Sequence, residues 1–166
     1  MSVTVEVSAW QDDIKLVKLS SDQLEVHLLS LGATIHSVIY PQGPEQTRDV
    51  VLGFDSRSGY DGTDNPFFWG TTGRFTNRIK NGKFSIDGKE YQLSKNDFGN
   101  SLKHHLHGGV RSYDRLNWNT ELLESGDGVV FSILDQHDQE VKIKNNMEYI
   151  YLNVVSRGIL VMWCLV

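Results

Sequence analysis

Apolar and polar residues alternate along much of the first half of this 166-residue chain, which is the two-residue period of a half-buried strand. Residues 14–19 (Ile-Lys-Leu-Val-Lys-Leu) follow it with one break. Residues 24–31 repeat it, with Leu24, Val26 and Leu28 on one face and Glu25 and His27 on the other. Gly32-Ala33-Thr34 reads as a bulge or tight bend, after which β-branched residues resume at Ile35 and run to Tyr40, where Pro41 stops them. Residues 42–48 read as a polar loop and 49–54 as a short buried strand. The Ser/Gly/Asp-rich stretch ending at Asn65-Pro66 has room for one helical turn.

Farther on, residues 83–93 read as a hairpin, because Asp87-Gly88 suits the positive φ angles of a type I′ turn. Phe84 and Ile86 on its first arm, and Tyr91 and Leu93 on its second, are expected to face a common core. Residues 117–123 and 128–134 form a second expected hairpin, turning at Ser125-Gly126-Asp127-Gly128. No amphipathic helix of useful length is visible. The pattern therefore predicts an all-β chain, an antiparallel β-sandwich rather than a small barrel.

Composition narrows the function classes. A hydrophobic share of 39% and three prolines suit one globular domain. The net charge of −5, with no run of Lys and Arg, argues against a nucleic-acid partner. Cys164 is the single cysteine, so no internal disulfide is possible. The N-terminus has no basic segment leading into an apolar run, and the apolar stretch 159–166 is far below the ~20 residues of a membrane helix, so a cytoplasmic address is expected. Residues 141–166 differ in character from the rest: a Lys/Asn-rich segment ends in Ile-Leu-Val-Met-Trp-Cys-Leu-Val. The expected organisation is a domain portion over 1–140 and a divergent tail over 141–166, as an intron read through in frame would produce.

The chemistry-bearing residues lie between Trp69 and Trp118. Gly73-Arg74-Phe75-Thr76-Asn77-Arg78-Ile79 leads into Lys80-Asn81-Gly82-Lys83-Phe84, and Asp87-Gly88-Lys89-Glu90-Tyr91-Gln92-Leu93 follows. Asn100-Ser101-Leu102, His107-Gly108-Gly109 and Asp114-Arg115-Leu116-Asn117-Trp118 come next, while Gly32-Ala33-Thr34-Ile35 and Asp49-Val50-Val51-Leu52-Gly53-Phe54 lie upstream. In this order, over about residues 15–140, the motifs resemble those of the aldose 1-epimerases (galactose mutarotases).

That resemblance implies a large antiparallel β-sandwich, here incomplete, and an isomerase of hexose metabolism that interconverts α and β anomers of galactose or glucose by acid–base ring opening. It implies no cofactor and no metal. It also implies that Asn77, Arg78 and His107 contact sugar hydroxyls. The family's proton-transferring glutamate and histidine fall beyond the stretch of similarity, so no residue here is expected to be catalytic. Arg78 offers five fixed donors, and His107 donates or accepts near pH 7. Gly108-Gly109 is expected to let backbone approach the ligand.

Plainer readings stand beside these. Arg78 suits a loop salt bridge. Lys103-His104-His105-Leu106 intervenes before His107, so His104 and His105 compete for its place, but Gly108-Gly109 favours His107. The three imidazoles read as a solvated loop ahead of a metal site, whose remaining ligands are not evident. Trp69 and Trp118 are candidates to stack on a sugar or to fill a core. Arg74 reads as structural and Asp87 as a turn residue. The rival functions are a non-catalytic carbohydrate-binding module, separated by measuring binding against mutarotation rate, and a phosphosugar epimerase, which needs further basic residues at the pocket.

Overall fold

The computed structural model describes residues 3–43, 46–62, 65–97, 99 and 101–134, and the backbone of 150–155 and 159–164. The remainder of the expected tail and Asn100 lie outside the described residues. Five strands form the first sheet: β1 (Thr4–Gln11), β2 (Ile14–Ser20), β3 (Glu25–Leu29), β4 (Thr34–Gly43) and β5 (Gln46–Asp49). They are antiparallel and lie side by side in chain order. The second sheet holds β10 (Asn119–Leu122), β11 (Val129–Ile133), β12 (Ile150–Val155) and β13 (Ile159–Cys164), again antiparallel and in chain order.

Alternation explains how the first sheet buries both faces. Val17, Leu19 and Leu28 point one way, where they meet Val129 and Phe131 of β11, together with Tyr113 and Trp118. This is the interface between the two sheets, and Val17, Leu28, Val129 and Phe131 have no accessible surface. Each such side chain contributes about 1.5–3 kcal/mol relative to exposure. Ile14, Leu29 and Leu31 point the other way, onto Tyr60 of the short helix α1 (Arg57–Asp61), with Trp10, Leu16 and Phe54 around them. α1 is tied to the β1–β2 turn by Arg57, whose guanidinium reaches Asp12 at 3.2 Å and Asp13 at 3.3 Å.

The all-β expectation holds, and the sandwich is its architecture. Several local expectations change. β1 was not marked by the pattern of residues 14–54, although Val3, Val5 and Val7 alternate with Thr4, Glu6 and Ser8. β4 runs past Pro41, which lies beyond Ile39, the residue opposite Glu25 at the start of β3. With a neighbour on one side only, the missing N–H of Pro41 costs no ladder bond.

Residues 49–54 are not a buried strand. β5 ends at Asp49, whose Oδ1 accepts the N–H of Val51 at 3.0 Å and of Val38 at 3.1 Å. That side chain competes with the ladder for backbone donors and turns the chain away. Val50 and Leu52 are consequently exposed, and Phe54 alone packs against the second core.

In chain order, two smaller pairings come between the sheets: β6 (Arg78–Ile79) with β9 (His105–Leu106), and the hairpin β7 (Lys83–Ile86) with β8 (Lys89–Gln92). Asp87 (φ 49°) and Gly88 (φ 76°) make the expected turn. Phe84 stacks on Tyr91 at 5.2 Å, but Ile86 is 48% exposed, so the hairpin's apolar face is covered only at its base. The second expected hairpin is β10–β11, closed where Leu123 donates to the Gly128 carbonyl.

Candidate functional site

Two residues of ladder bring the site together. β6 pairs Arg78 with Leu106 and Ile79 with His105. Asn77 and His107 therefore become cross-strand neighbours although they are 30 positions apart in sequence. His107 donates its N–H to the Asn77 carbonyl at 3.2 Å, and the Asn77 N–H donates to Nδ1 of His107 at 3.0 Å. Both residues have left-handed backbone, φ 73° for Asn77 and 53° for His107. The Asn77 side-chain oxygen accepts the following N–H, that of Arg78, at 2.8 Å.

Arg78 is held by Asp97, with Nε 2.7 Å from Oδ2 and Nη2 3.4 Å from Oδ1. The carboxylate is buried while the arginine side chain is 47% exposed, so the pair presents its cationic end outward. Hydrogen bonding to Asp97, and then its charge, raises the arginine's pKa further. The salt-bridge reading of Arg78 is thus correct as geometry, and the same residue lines a cleft of about 370 Å³. His107, Asp97, Asn96, Phe67 and Arg115 share that lining.

The three histidines go to different places. His105 is buried, and its Nδ1 lies 2.9 Å from the Ser94 carbonyl, to which it donates. His104 accepts the Asn81 N–H through Nδ1 at 3.1 Å. His107 is the one that lines the cleft. Among the described residues, no three His, Cys, Asp or Glu side chains come together as metal ligands. Because Nδ1 of His107 accepts a hydrogen bond, its ring proton sits on Nε2 in the neutral form, and that N–H is a donor. Burial lowers the His107 pKa and the Arg78 charge lowers it further, against an opposing pull from Asp114.

Residues that the sequence did not single out complete the walls. The Asn96 side chain copies a strand, donating to the Leu106 carbonyl at 2.8 Å and accepting the Leu106 N–H at 2.7 Å. Arg115 donates to the carbonyls of Asp61 at 2.9 Å and Gly62 at 3.2 Å. Asp114 is buried, with Ser112 donating to Oδ1 and the Arg115 Nε 3.9 Å from Oδ2; burial raises its pKa. Nothing in the local sequence separates Asn96 and Asp97 from ordinary solvated loop residues. Asp114 and Arg115 carry no signal beyond their place in the Asp114-Arg115-Leu116-Asn117-Trp118 motif.

One expectation about the neighbours of the site changes. Gly108 does not bring backbone to a ligand: a Cβ there would lie 1.5 Å from the Gly73 carbonyl oxygen, so its close approach is to the protein's own chain. Of this glycine pair, Gly109 is the one that lines the cleft. Trp118 is core, 3% exposed, its indole N–H donating to the Tyr113 carbonyl at 2.9 Å. Trp69 is exposed but does not line this cleft. Arg74 packs its guanidinium over the Tyr113 ring at 5.4 Å, in keeping with a structural role.

Fixed N–H donors, a buried carboxylate and an aromatic wall in one open cleft are the features of a site for a polar ring with many hydroxyls. The fold belongs to the same class as solved aldose epimerase sandwiches. A GalM/aldose epimerase homologue from C. elegans aligns with TM-score 0.64 and 28% identity, covering 81% of this chain and 39% of that one. A galactose 1-epimerase from Lactobacillus acidophilus shares the fold at TM-score 0.65, covering 93% of this chain and 45% of that one.

Sequence comparison gives the family. The family model described as aldose 1-epimerase matches residues 15–150, and the chain belongs to that family. Galactose mutarotases of Bos taurus and Homo sapiens are each 39% identical to it over 127 residues, which is 76% of this chain. The chain spans 35% of the length of these curated relatives. Among the described residues no helix is long and apolar enough to cross a membrane.

Proposed function

We propose that this chain is the sugar-holding part of an aldose 1-epimerase site. The complete domain would interconvert α and β anomers of a hexose, galactose or glucose. In that reaction a proton leaves the anomeric hydroxyl and another reaches the ring oxygen; the ring opens, the C1–C2 bond rotates and the ring closes on the other face. Arg78 supplies charged donors to sugar oxygens, and the Nε2–H of His107 supplies a neutral one. Asn77 does not line the cleft itself; its backbone holds His107 and its side-chain oxygen accepts the Arg78 N–H. The two proton-transfer groups belong to the part of the relatives that this chain does not match, and each such group typically contributes ~10²–10⁴-fold. The chain by itself therefore binds without accelerating the exchange.

The observation that supports this reading is the convergence of Arg78 and His107 on one cleft through the β6–β9 ladder. Residues 1–140 are, in this reading, the N-terminal part of the sandwich domain, and 141–166 a divergent tail whose strands β12 and β13 extend the second sheet. The net charge of −5 fits a neutral small-molecule ligand better than nucleic acid, and the lone Cys164 fits a cytoplasmic address.

The test titrates the 166-residue chain with methyl β-galactoside, whose anomer is fixed, and follows the optical rotation of α-galactose in parallel. Saturable binding that Arg78→Ala abolishes, with rotation decaying at the buffer rate, is expected. A chain that binds no sugar would overturn the reading. One that speeds anomer exchange would overturn the placing of the proton-transfer groups elsewhere.

A further inference from the structure

Phe67 occupies a position that its backbone does not favour. Its φ is +61°, a left-handed conformation that side chains other than glycine rarely adopt. Two hydrogen bonds hold it there. The Phe67 N–H donates to the Asn65 side-chain oxygen at 2.9 Å, and the Asn65 amide donates to the Tyr60 carbonyl at 2.6 Å from a buried position. The result is that an aromatic ring, beside Pro66, Leu106 and Val110, joins the same wall as Arg78, Asp97 and His107. The ring centroid lies 4.7 Å from that of His107, tilted 59°, and the Arg115 guanidinium sits over it at 6.0 Å. Phe67, His107 and Arg115 all line the cleft, whereas neither Trp69 nor Trp118 does.

We propose that Phe67 is a specificity-determining residue of the cleft, an apolar platform for the C–H face of a pyranose. The inference rests on the sugar-site reading above and adds what that reading lacks, a means of distinguishing a closed ring from any other polyol. A pyranose is amphipathic: its axial 4-hydroxyl, in galactose, leaves a contiguous patch of ring C–H bonds on the opposite face. Those hydrogens carry slight positive charge and meet the negative face of an aromatic ring favourably, while hydroxyls at the ring's rim reach the donors of His107 and Arg78. An open-chain hexitol has the same hydroxyls but no fixed patch. The strained turn at Asn65–Phe67 is what keeps the ring in the wall, and a cleft of donors alone gives no such discrimination.

The test uses the 166-residue chain with methyl β-galactoside and galactitol as probes, titrated by proton NMR. Wild type should bind the galactoside in preference to galactitol and shift its ring C–H protons upfield, as protons over an aromatic face are. Phe67→Leu should weaken galactoside binding roughly fivefold, the scale of one aromatic contact, remove the upfield shift and bring the two probes close to equal affinity. Phe67→Tyr, which keeps the ring, should restore all three. An unshifted Asn77 amide resonance reports that the leucine variant keeps its fold around the cleft. If that variant binds the galactoside with unchanged affinity and unchanged proton shifts, the platform is wrong and the sugar site stands. If wild type binds neither probe, both fall together.

Discussion

The interface between the two sheets and the segment that carries the cleft are built by different rules. In the sheets, period-two alternation aims Val17, Leu28, Val129 and Phe131 into one layer, and burial does the rest. Among the described residues, Phe67 to His107 forms short pairings, and eight of the ten non-glycine residues with positive φ fall in this segment. There the backbone is held by side chains acting as substitutes for strands: Asn96 on Leu106, Asn65 on Phe67, His107 on Asn77. The sheet interface is stabilised by area removed from water and the cleft by individual hydrogen bonds, so the two should fail in different ways.

The largest effect is expected where area dominates. Phe131→Ala empties the middle of the interface and should cost about 3–5 kcal/mol, read as a lowered midpoint in urea unfolding. The loss should appear equally in fluorescence and circular dichroism, because both sheets lean on that side chain. If the variant instead loosens only the second sheet, the interface is less shared than the packing implies.

A smaller loss is expected from the cleft. Gly108→Ala adds a Cβ against the Gly73 carbonyl at a φ of +94° and should cost about 2–3 kcal/mol. Its signature is local: hydrogen exchange should quicken at Asn77 and His107 while amides of β2 and β3 keep their protection. Equal quickening in both places would erase the distinction between the regions.

Acid gives the smallest effect. Burial holds His107 below its ordinary pKa of 6.5, so the unfolded chain takes up a proton before the folded one does. Its contribution to stability is complete above pH ~6.5 and is lost as pH falls through the folded value. Protonation of Nδ1 also displaces the Asn77 N–H. The Asn77 amide should therefore titrate with the His107 ring in NMR spectra, below pH 6.5, while the β2 amides stay still. A midpoint above 6.5 would contradict the burial of the ring.

The same contrast decides what was legible in the sequence. β2, β3 and β4 as far as Pro41 could be read because burial imposes a period, whereas exposed β5 (Gln46–Asp49) read as a polar loop. Asp87-Gly88 could be read because a type I′ turn requires positive φ. Even there Asp49 misleads: its carboxylate takes the N–H of Val51 and ends a strand that Val50, Val51 and Leu52 advertise. Asn77, Arg78 and His107 were found through ordered motifs, since no period links residues on either side of a 30-residue excursion. Phe67, Asn96 and Asp97 were missed because a side chain that replaces a strand, or a buried acid facing an arginine, looks in sequence like any loop residue.

The chain-order arrangement of β1 to β5 has a consequence for biosynthesis. Each strand pairs with the one synthesised just before it, so every new pairing closes only a short stretch of chain, for which the loss of freedom is small. During translation the first sheet is able to assemble hairpin by hairpin as it leaves the ribosome. Its inward face then remains wet until Tyr113, Trp118 and β11 arrive, leaving the half-made protein dependent on whatever shields that face in the interval.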